Sequence, residues 1–282
     1  MSEKTVLLEI ADGVAVLTLN RPEKLNAFAG NMRDQLNARL DDVAGHDGVR
    51  VLVLTGAGRA FCAGGDIDYM TELCQLHSPF DALAPLLEAG EGVMRRLAAL
   101  PFPVIAALNG VAAGAGANLA LACDVRLASD AARFGETFAK IALHPDWAGT
   151  YHLTRLVGVA RALDLCWTGE LIGADEALRL GLFQRVWPAA DFEREWRAYA
   201  ARLAAGPQVA IRAMKATLKA APNRTLEECL AAEMEAQEAC WSSPDAAEGV
   251  QAFVEKRSPF FSAEPVPARG DAAPGRAARL FE

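Results

Sequence analysis

The sequence has no excess of positive charge. It sets 28 Lys and Arg against 36 Asp and Glu, for a formal net charge of −8. A nucleic-acid surface is therefore not expected. No run of about eighteen apolar residues occurs, so no membrane-spanning helix is expected. The opening MSEKTVLLEI is too polar for a secretory signal, and a cytoplasmic location is expected. The six cysteines (Cys62, Cys74, Cys123, Cys166, Cys229, Cys240) include no CxxC pair. The four histidines (His46, His77, His144, His152) show no ligand spacing. Reduced thiols are expected, with no disulfide framework and no metal site. A Gly-Lys-Ser/Thr loop and a G-x-S-x-G elbow are both missing, which excludes two common catalytic frameworks. GAGRAF (Gly56–Phe61) lacks the third glycine of a dinucleotide loop.

What is present is a chain of 282 residues, long enough for a sizeable core with a smaller appendage. Thr5–Ile10 and Val14–Asn20 flank Asp12-Gly13, the signature of a β-hairpin. Asn31–Val43 has a helical apolar period through Met32, Leu36, Leu40 and Val43. VRVLVLT (Val49–Thr55) and PFPVIAAL (Pro101–Leu108) read as buried strands. Each runs into a Gly/Ala loop that opens a helix. His77–Pro85 reads as a loop, and Leu86–Leu100 returns to helical period. Asp124–Ala128 and Leu182–Trp187 read as further strands, and Asp191–Lys256 is almost wholly helical. The order of elements predicts a mixed α/β fold. The domains expected are a core over 1–200, a helical region over 201–257 and a flexible tail over 258–282.

Two loops carry the chemistry. One is Phe61-Cys62-Ala63-Gly64-Gly65-Asp66 and the other is Gly114-Ala115-Gly116-Ala117, inside NGVAAGAGANLALACD (Asn109–Asp124). Gly and Ala leave the backbone open to close approach, and a helix start leaves N–H groups unpaired. Two such amides converging on one point can stabilise an enolate oxygen without any side chain. Tight helix–strand packing explains one such loop equally well, but a pair of them favours the site.

From about Val14 to Phe261 the chain resembles the crotonase (enoyl-CoA hydratase/isomerase) superfamily. The matching pieces are NRPEKLNAF, VLVLTGAGRAFCAGGDI, PVIAALNGVAAGAGANLALACDVRLAS, FGETFAKIALHPDWAG, WTGELIGADEALRLGLFQRV and FVEKRSPFF. The resemblance implies a spiral of ββα units with a C-terminal helical trimerisation region, as a homotrimer or dimer of trimers. It also implies an acyl-CoA thioester substrate, with coenzyme A entering as part of that substrate and no separate cofactor. By motif position the thioester oxygen would meet the amides of Ala63 and Ala115. Gly64, Gly65, Asp66 and Ile67 would line the pantetheine tunnel, with Gly114 beside it. Lys24 and Leu25 would border the adenine, and Phe253 and Lys256 would touch coenzyme A.

The family's hydratases use two glutamates, and this chain has Asn118 and Phe138 at those positions. A third family position holds an acid in several isomerases, and here it is Asp146, followed by Trp147. The sequence looks closest to phenylacetate-pathway isomerases, which turn a ring-1,2-epoxide thioester into an oxepin or move a double bond from C3 to C2. This implies isomerisation with Asp146 as the single proton shuttle. Enoyl-CoA hydration is the alternative enzyme reading, and a non-catalytic acyl-CoA-binding protein is the alternative of another class. From local sequence Asp146 also suits an N-cap ahead of the Ala148–Leu156 helix. Glu136, beside the position of a missing glutamate, reads either as a spare acid or as a solvated or ion-paired side chain, and Asp66 reads as a helix cap. Asn118 fits either a satisfied packed amide or a residue lining the site.

Overall fold

A computed structural model of the chain describes residues 4–262. The chain divides into two compact units at Ala200/Ala201, with Pro101–Pro103 grouped with the second. The tail expected over 258–282 lies outside the described residues from residue 263 onward. Its first part is held: the Phe260 N–H donates to Glu248 at 2.7 Å and the Ser262 N–H to Asp245 at 2.7 Å.

The first unit opens with β1 (Val6–Ala11) and β2 (Val14–Leu19), an antiparallel hairpin. Asp12 and Gly13 both have positive φ, 50° and 78°, as a two-residue hairpin turn requires. Helix α1 (Met32–Ala44) buries Met32, Leu36, Leu40 and Val43 along one stripe. Then β3 (Val51–Gly56) runs into the short β4 (Ala60–Cys62) and α2 (Ile67–Cys74). Helix α3 (Pro79–Ala99) follows, and the unit repeats as β5 (Val104–Leu108), β6 (Val111–Ala113) and α4 (Ala115–Ala122). The third repeat is β7 (Val125–Ser129) and β8 (Arg133–Gly135), with a 3-10 turn at Thr137–Ile141 in place of a helix. Helices α5 (Gly149–Val157) and α6 (Val159–Thr168), strand β9 (Ile172–Gly173), α7 (Ala174–Arg179) and β10 (Arg185–Trp187) complete it.

Each repeat sends its long strand to one sheet and its short strand to another. The larger sheet has the order β1-β2-β3-β5-β7-β10 and the smaller β4-β6-β8-β9. Strands β3, β5 and β7 run parallel, and β5 is buried throughout, as its unbroken apolar run demands. Helix α4 is buried at every position, so its composition has no polar face apart from Asn118. The spiral of ββα units and the C-terminal helices expected from the resemblance are present.

One expectation fails. His77–Pro85 is not a loop, because α3 starts at residue 79 and carries Pro85 within it. A proline seven residues into a helix removes one backbone bond, and packing of α3 against α1 outweighs that loss.

The second unit follows α8 (Ala189–Ala204) with α9 (Gln208–Ala220), α10 (Leu226–Trp241) and α11 (Pro244–Glu255). A capping box starts α10: the Thr225 hydroxyl accepts from the Glu228 N–H, and the Glu228 carboxylate accepts from the Thr225 N–H.

Candidate active site

The two Gly/Ala loops meet. A Cβ on Gly64 would lie 2.7 Å from the Ala113 carbonyl oxygen and 3.5 Å from the Ala115 nitrogen. Gly64 also sits at φ +94°, where L side chains are strained. A Cβ on Gly116 would lie 2.2 Å from the Cys62 carbonyl oxygen, so only glycine lets the start of α4 seat on the β4 end. Parallel pairing of β4 with β6 sets this meeting. The Ala115 N–H is the first of α4 and has no acceptor within the helix.

The partner amide, that of Ala63, is engaged within the protein. The Ala63 N–H does not face open space; it donates to the Leu25 carbonyl at 3.0 Å. Leu25 and Asn26 are both left-handed, at φ 51° and 57°, and this turn aims the Leu25 carbonyl at the loop. The next N–H, of Gly64, reaches only the Cys62 sulfur, at 3.5 Å. Burial pushes that thiol up to about 12, so Cys62 is a packed group and no nucleophile.

The rim residues are placed as follows. Lys24 is exposed and its Nζ pairs with Asp68 at 2.7 Å. Asp66 caps α2 through the Asp68 and Tyr69 N–H groups and binds the Arg21 guanidinium at 3.0 Å. Burial pushes its carboxyl up, but Arg21 and the two N–H donors outweigh that and hold it below the usual value. Gly65 is packed against the Met70 sulfur, and Ile67 is exposed. Phe138 is buried with its ring against Gly114. Phe253 and Lys256 belong to the second unit, at the end of α11, where Phe253 is 85% exposed and Lys256 is left-handed at φ 54°.

Asp146 stands on the loop between the 3-10 turn and α5. Burial pushes its carboxyl up to about 6, against the pull of the Arg33 guanidinium. Its Oδ1 is buried and makes no hydrogen bond within the protein. The N-cap alternative does not hold. Helix α5 begins at Gly149 with Ala148 as N-cap and no side-chain cap bond. The Asp146 main chain does the anchoring instead: its carbonyl accepts from the Gly149 N–H at 2.9 Å and from Asn118 Nδ2 at 2.9 Å. Trp147 and Ala148 take positive φ, 46° and 56°. The Trp147 indole is buried against Gly90 of α3 and lies 4.6 Å from the Phe28 ring. That packing offsets the strain and leaves Asp146 Oδ1 without a protein donor.

Two charged neighbours stand beside Asp146, and of these sequence reasoning missed Arg33 altogether. Arg33, on the buried stripe of α1, is only 9% exposed, and its Nε and Nη1 make no hydrogen bond. Its electrostatic neighbours are Asp146, Cys62 and Tyr69, and desolvation lowers its pKa. Glu136 is neither solvated nor ion-paired. It is 0% exposed and both carboxyl oxygens lack a partner. Burial pushes it up to about 8, with Asn118 opposing and Asp146 adding. Arg33 gave no signal beyond its apolar neighbours, and Glu136 only its place two residues before Phe138. The arrangement thus holds an amide without an acceptor at a helix start, a carboxyl with a raised pKa and one oxygen without a donor, and a buried acid and base beside it. Among the described residues no group of His, Cys, Asp or Glu is placed to hold a metal ion.

These loops and this fold define a class. A family profile described as enoyl-CoA hydratase/isomerase matches residues 9–264, and the chain belongs to that family, of the crotonase superfamily. Within it, the chain is 46% identical over 263 residues to a Rhodobacter capsulatus protein named "probable enoyl-CoA hydratase", covering 93% of this chain and 99% of that one. It is 40% identical over 267 residues to the 1,2-epoxyphenylacetyl-CoA isomerase of Escherichia coli, covering 91% and 98%. The crystal structure of an enoyl-CoA hydratase from Bacillus anthracis superposes with a TM-score of 0.85 at 33% identity, covering 92% of this chain and all of that one.

Proposed function

We propose that this protein is an acyl-CoA isomerase that moves a double bond from C3 to C2, or isomerises a ring-epoxide thioester, with Asp146 as the proton shuttle. The observation that carries this reading is the Asp146 carboxyl, desolvated, raised to about 6 and engaged by no protein donor at Oδ1. The Ala115 N–H donates to the thioester oxygen, and the Ala63 N–H joins it by leaving the Leu25 carbonyl or by sharing itself between the two oxygens. Charge drawn onto that oxygen makes the Cα–H and Cγ–H bonds more acidic. Asp146 takes a proton from one carbon and returns it to the other, so the step needs no second acid and no cofactor beyond the coenzyme A of the substrate. Asn118 and Phe138 stand where hydratases of this family hold glutamates, which supports isomerisation over water addition. The 40% identity to an epoxide isomerase points the same way.

Hydration is the second reading, and the relatives named as hydratases favour it. The test is a turnover comparison on 2-enoyl-, 3-enoyl- and phenylacetyl-epoxide CoA thioesters. Asp146→Asn is expected to lower kcat for isomerisation roughly 10²–10⁴-fold, the usual worth of a positioned base. Near wild-type turnover by that variant, or efficient hydration of crotonyl-CoA by the wild type, overturns the isomerase reading.

We also propose a cytoplasmic enzyme acting as a homotrimer or dimer of trimers. Large apolar side chains lie open on the second unit, among them Leu226, Met234, Trp241 and Phe253, and such surfaces mark assembly sites. Phe253 and Lys256 are the residues of that unit proposed to touch coenzyme A.

A further inference from the structure

We propose that Glu136 is a positioning residue: as a neutral acid it donates its proton to Asn118 Oδ1, and Asn118 in turn holds the loop that carries Asp146. This inference rests on Asp146 being the working base.

The argument starts from atoms left without partners. Asn118 is 0% exposed; its Nδ2 serves the Asp146 carbonyl at 2.9 Å, while its Oδ1 has no donor. Both Glu136 oxygens lie buried without any partner. The Asn118 amide adjoins Glu136 closely enough to favour its ionised form, but burial outweighs this and sets the carboxyl high. An ionised Glu136 would leave a buried charge unpaired and Asn118 Oδ1 unsatisfied. A protonated Glu136 has one O–H, and Asn118 Oδ1 is an acceptor short of one donor. A single proton therefore relieves both defects.

The groups around the pair agree. Glu136 faces Asn118 of α4, Asp146 of the loop and Cys166 of α6. None of the three supplies a positive charge. Cys166 is itself pushed up to about 11, by burial first and by Glu136 second. The positive charge nearby, Arg33 of α1, acts on Asp146, as does His144 of the loop. Burial sets the Glu136 carboxyl at about 8, so it is protonated at neutral pH.

The consequence reaches Asp146 through its main chain. Trp147 and Ala148 are strained into left-handed φ, and the Asp146 carbonyl is one of their anchors. When Glu136 loses its proton, its carboxylate competes with that carbonyl for Asn118 Nδ2. The loop then loses an anchor, and the Asp146 carboxyl leaves its working position without itself changing charge.

The experiment is the pH dependence of isomerisation from about pH 6 to about pH 10 in wild type, Glu136→Gln and Glu136→Met, with infrared titration of buried carboxylic acid. Wild-type kcat is expected to fall above about pH 8 as Glu136 ionises. Glu136→Gln donates at every pH, and its alkaline midpoint should leave the measured range. Glu136→Met, with no donor, should lose about tenfold to a hundredfold in kcat at every pH with KM little changed. The same alkaline midpoint in Glu136→Gln as in wild type overturns the inference. The infrared arm needs neither turnover nor the Glu136 variants. A carboxylic-acid carbonyl band should be present at neutral pH and vanish with a midpoint near about 8, and in Asp146→Asn that midpoint should shift down because a neighbouring charge is gone. Absence of the band at neutral pH also overturns it. Active Asp146→Asn with a titrating Glu136 would instead count against the proposed function alone.

Discussion

Burial and Arg33 pull Asp146 in opposite directions. Desolvation disfavours its ionised form and the guanidinium favours it. A base raised to about 6 is mostly ionised at neutral pH yet keeps enough basicity to accept a carbon-bound proton. Activity should therefore rise with pH through an acid limb near that value. Replacing Arg33 by Met removes the positive neighbour, so the Asp146 pKa rises further and the acid limb moves to higher pH. The kcat/KM profile against pH reads this directly, and an unmoved midpoint would show that the Arg33 field does not reach Asp146. The fold should tolerate the change, because the lost Nε and Nη1 were buried without partners.

Among the elements, the junction of β4 and β6 with α4 is the least forgiving. Gly64→Ala places a methyl 2.7 Å from the Ala113 carbonyl on backbone already at φ +94°. The strain expected is about 1–3 kcal/mol, read as a lower Tm in thermal unfolding. Turnover should fall as well, since relief of the clash moves the loop away from the Ala115 N–H. Gly30→Ala is the comparison: its φ is also positive, at +49°, but no atom lies within 4 Å of the added Cβ. It should cost some stability and leave kcat alone. Equal losses of turnover in both variants would deny the loop junction its special role.

For the molecule as a whole, the apolar faces left open on α10 and α11 predict assembly. Sedimentation of the wild type should give a trimer or a hexamer. Met234, 70% exposed on α10, is a direct probe of that assembly. Met234→Lys places a charge in any contact that covers it and should yield smaller species. A wild type that sediments as a monomer would remove both the assembly and any role for a neighbouring subunit. The described helices include none long and apolar enough to cross a membrane.

Much was readable from residue order, where local chemistry has one outcome. Asp12-Gly13 permits a tight hairpin turn, VRVLVLT survives only as a buried parallel strand, and the Gly/Ala loops after β3 and β5 leave room for a ligand against backbone. The strands β4, β6, β8 and β9 were not readable, because two or three residues carry no period and are strands only through their neighbours in the smaller sheet. The helix through Pro85 was hidden for a like reason, since its support comes from α1, far away in sequence. Asp146 was visible as an acid in the right place, but packing alone decides that Ala148 caps α5 and that Asp146 Oδ1 has no protein donor. Burial and pairing are properties of three-dimensional neighbours. For that reason an acid that reads as an ordinary surface residue, Glu136, lies sealed beside Asn118 with two oxygens unpaired.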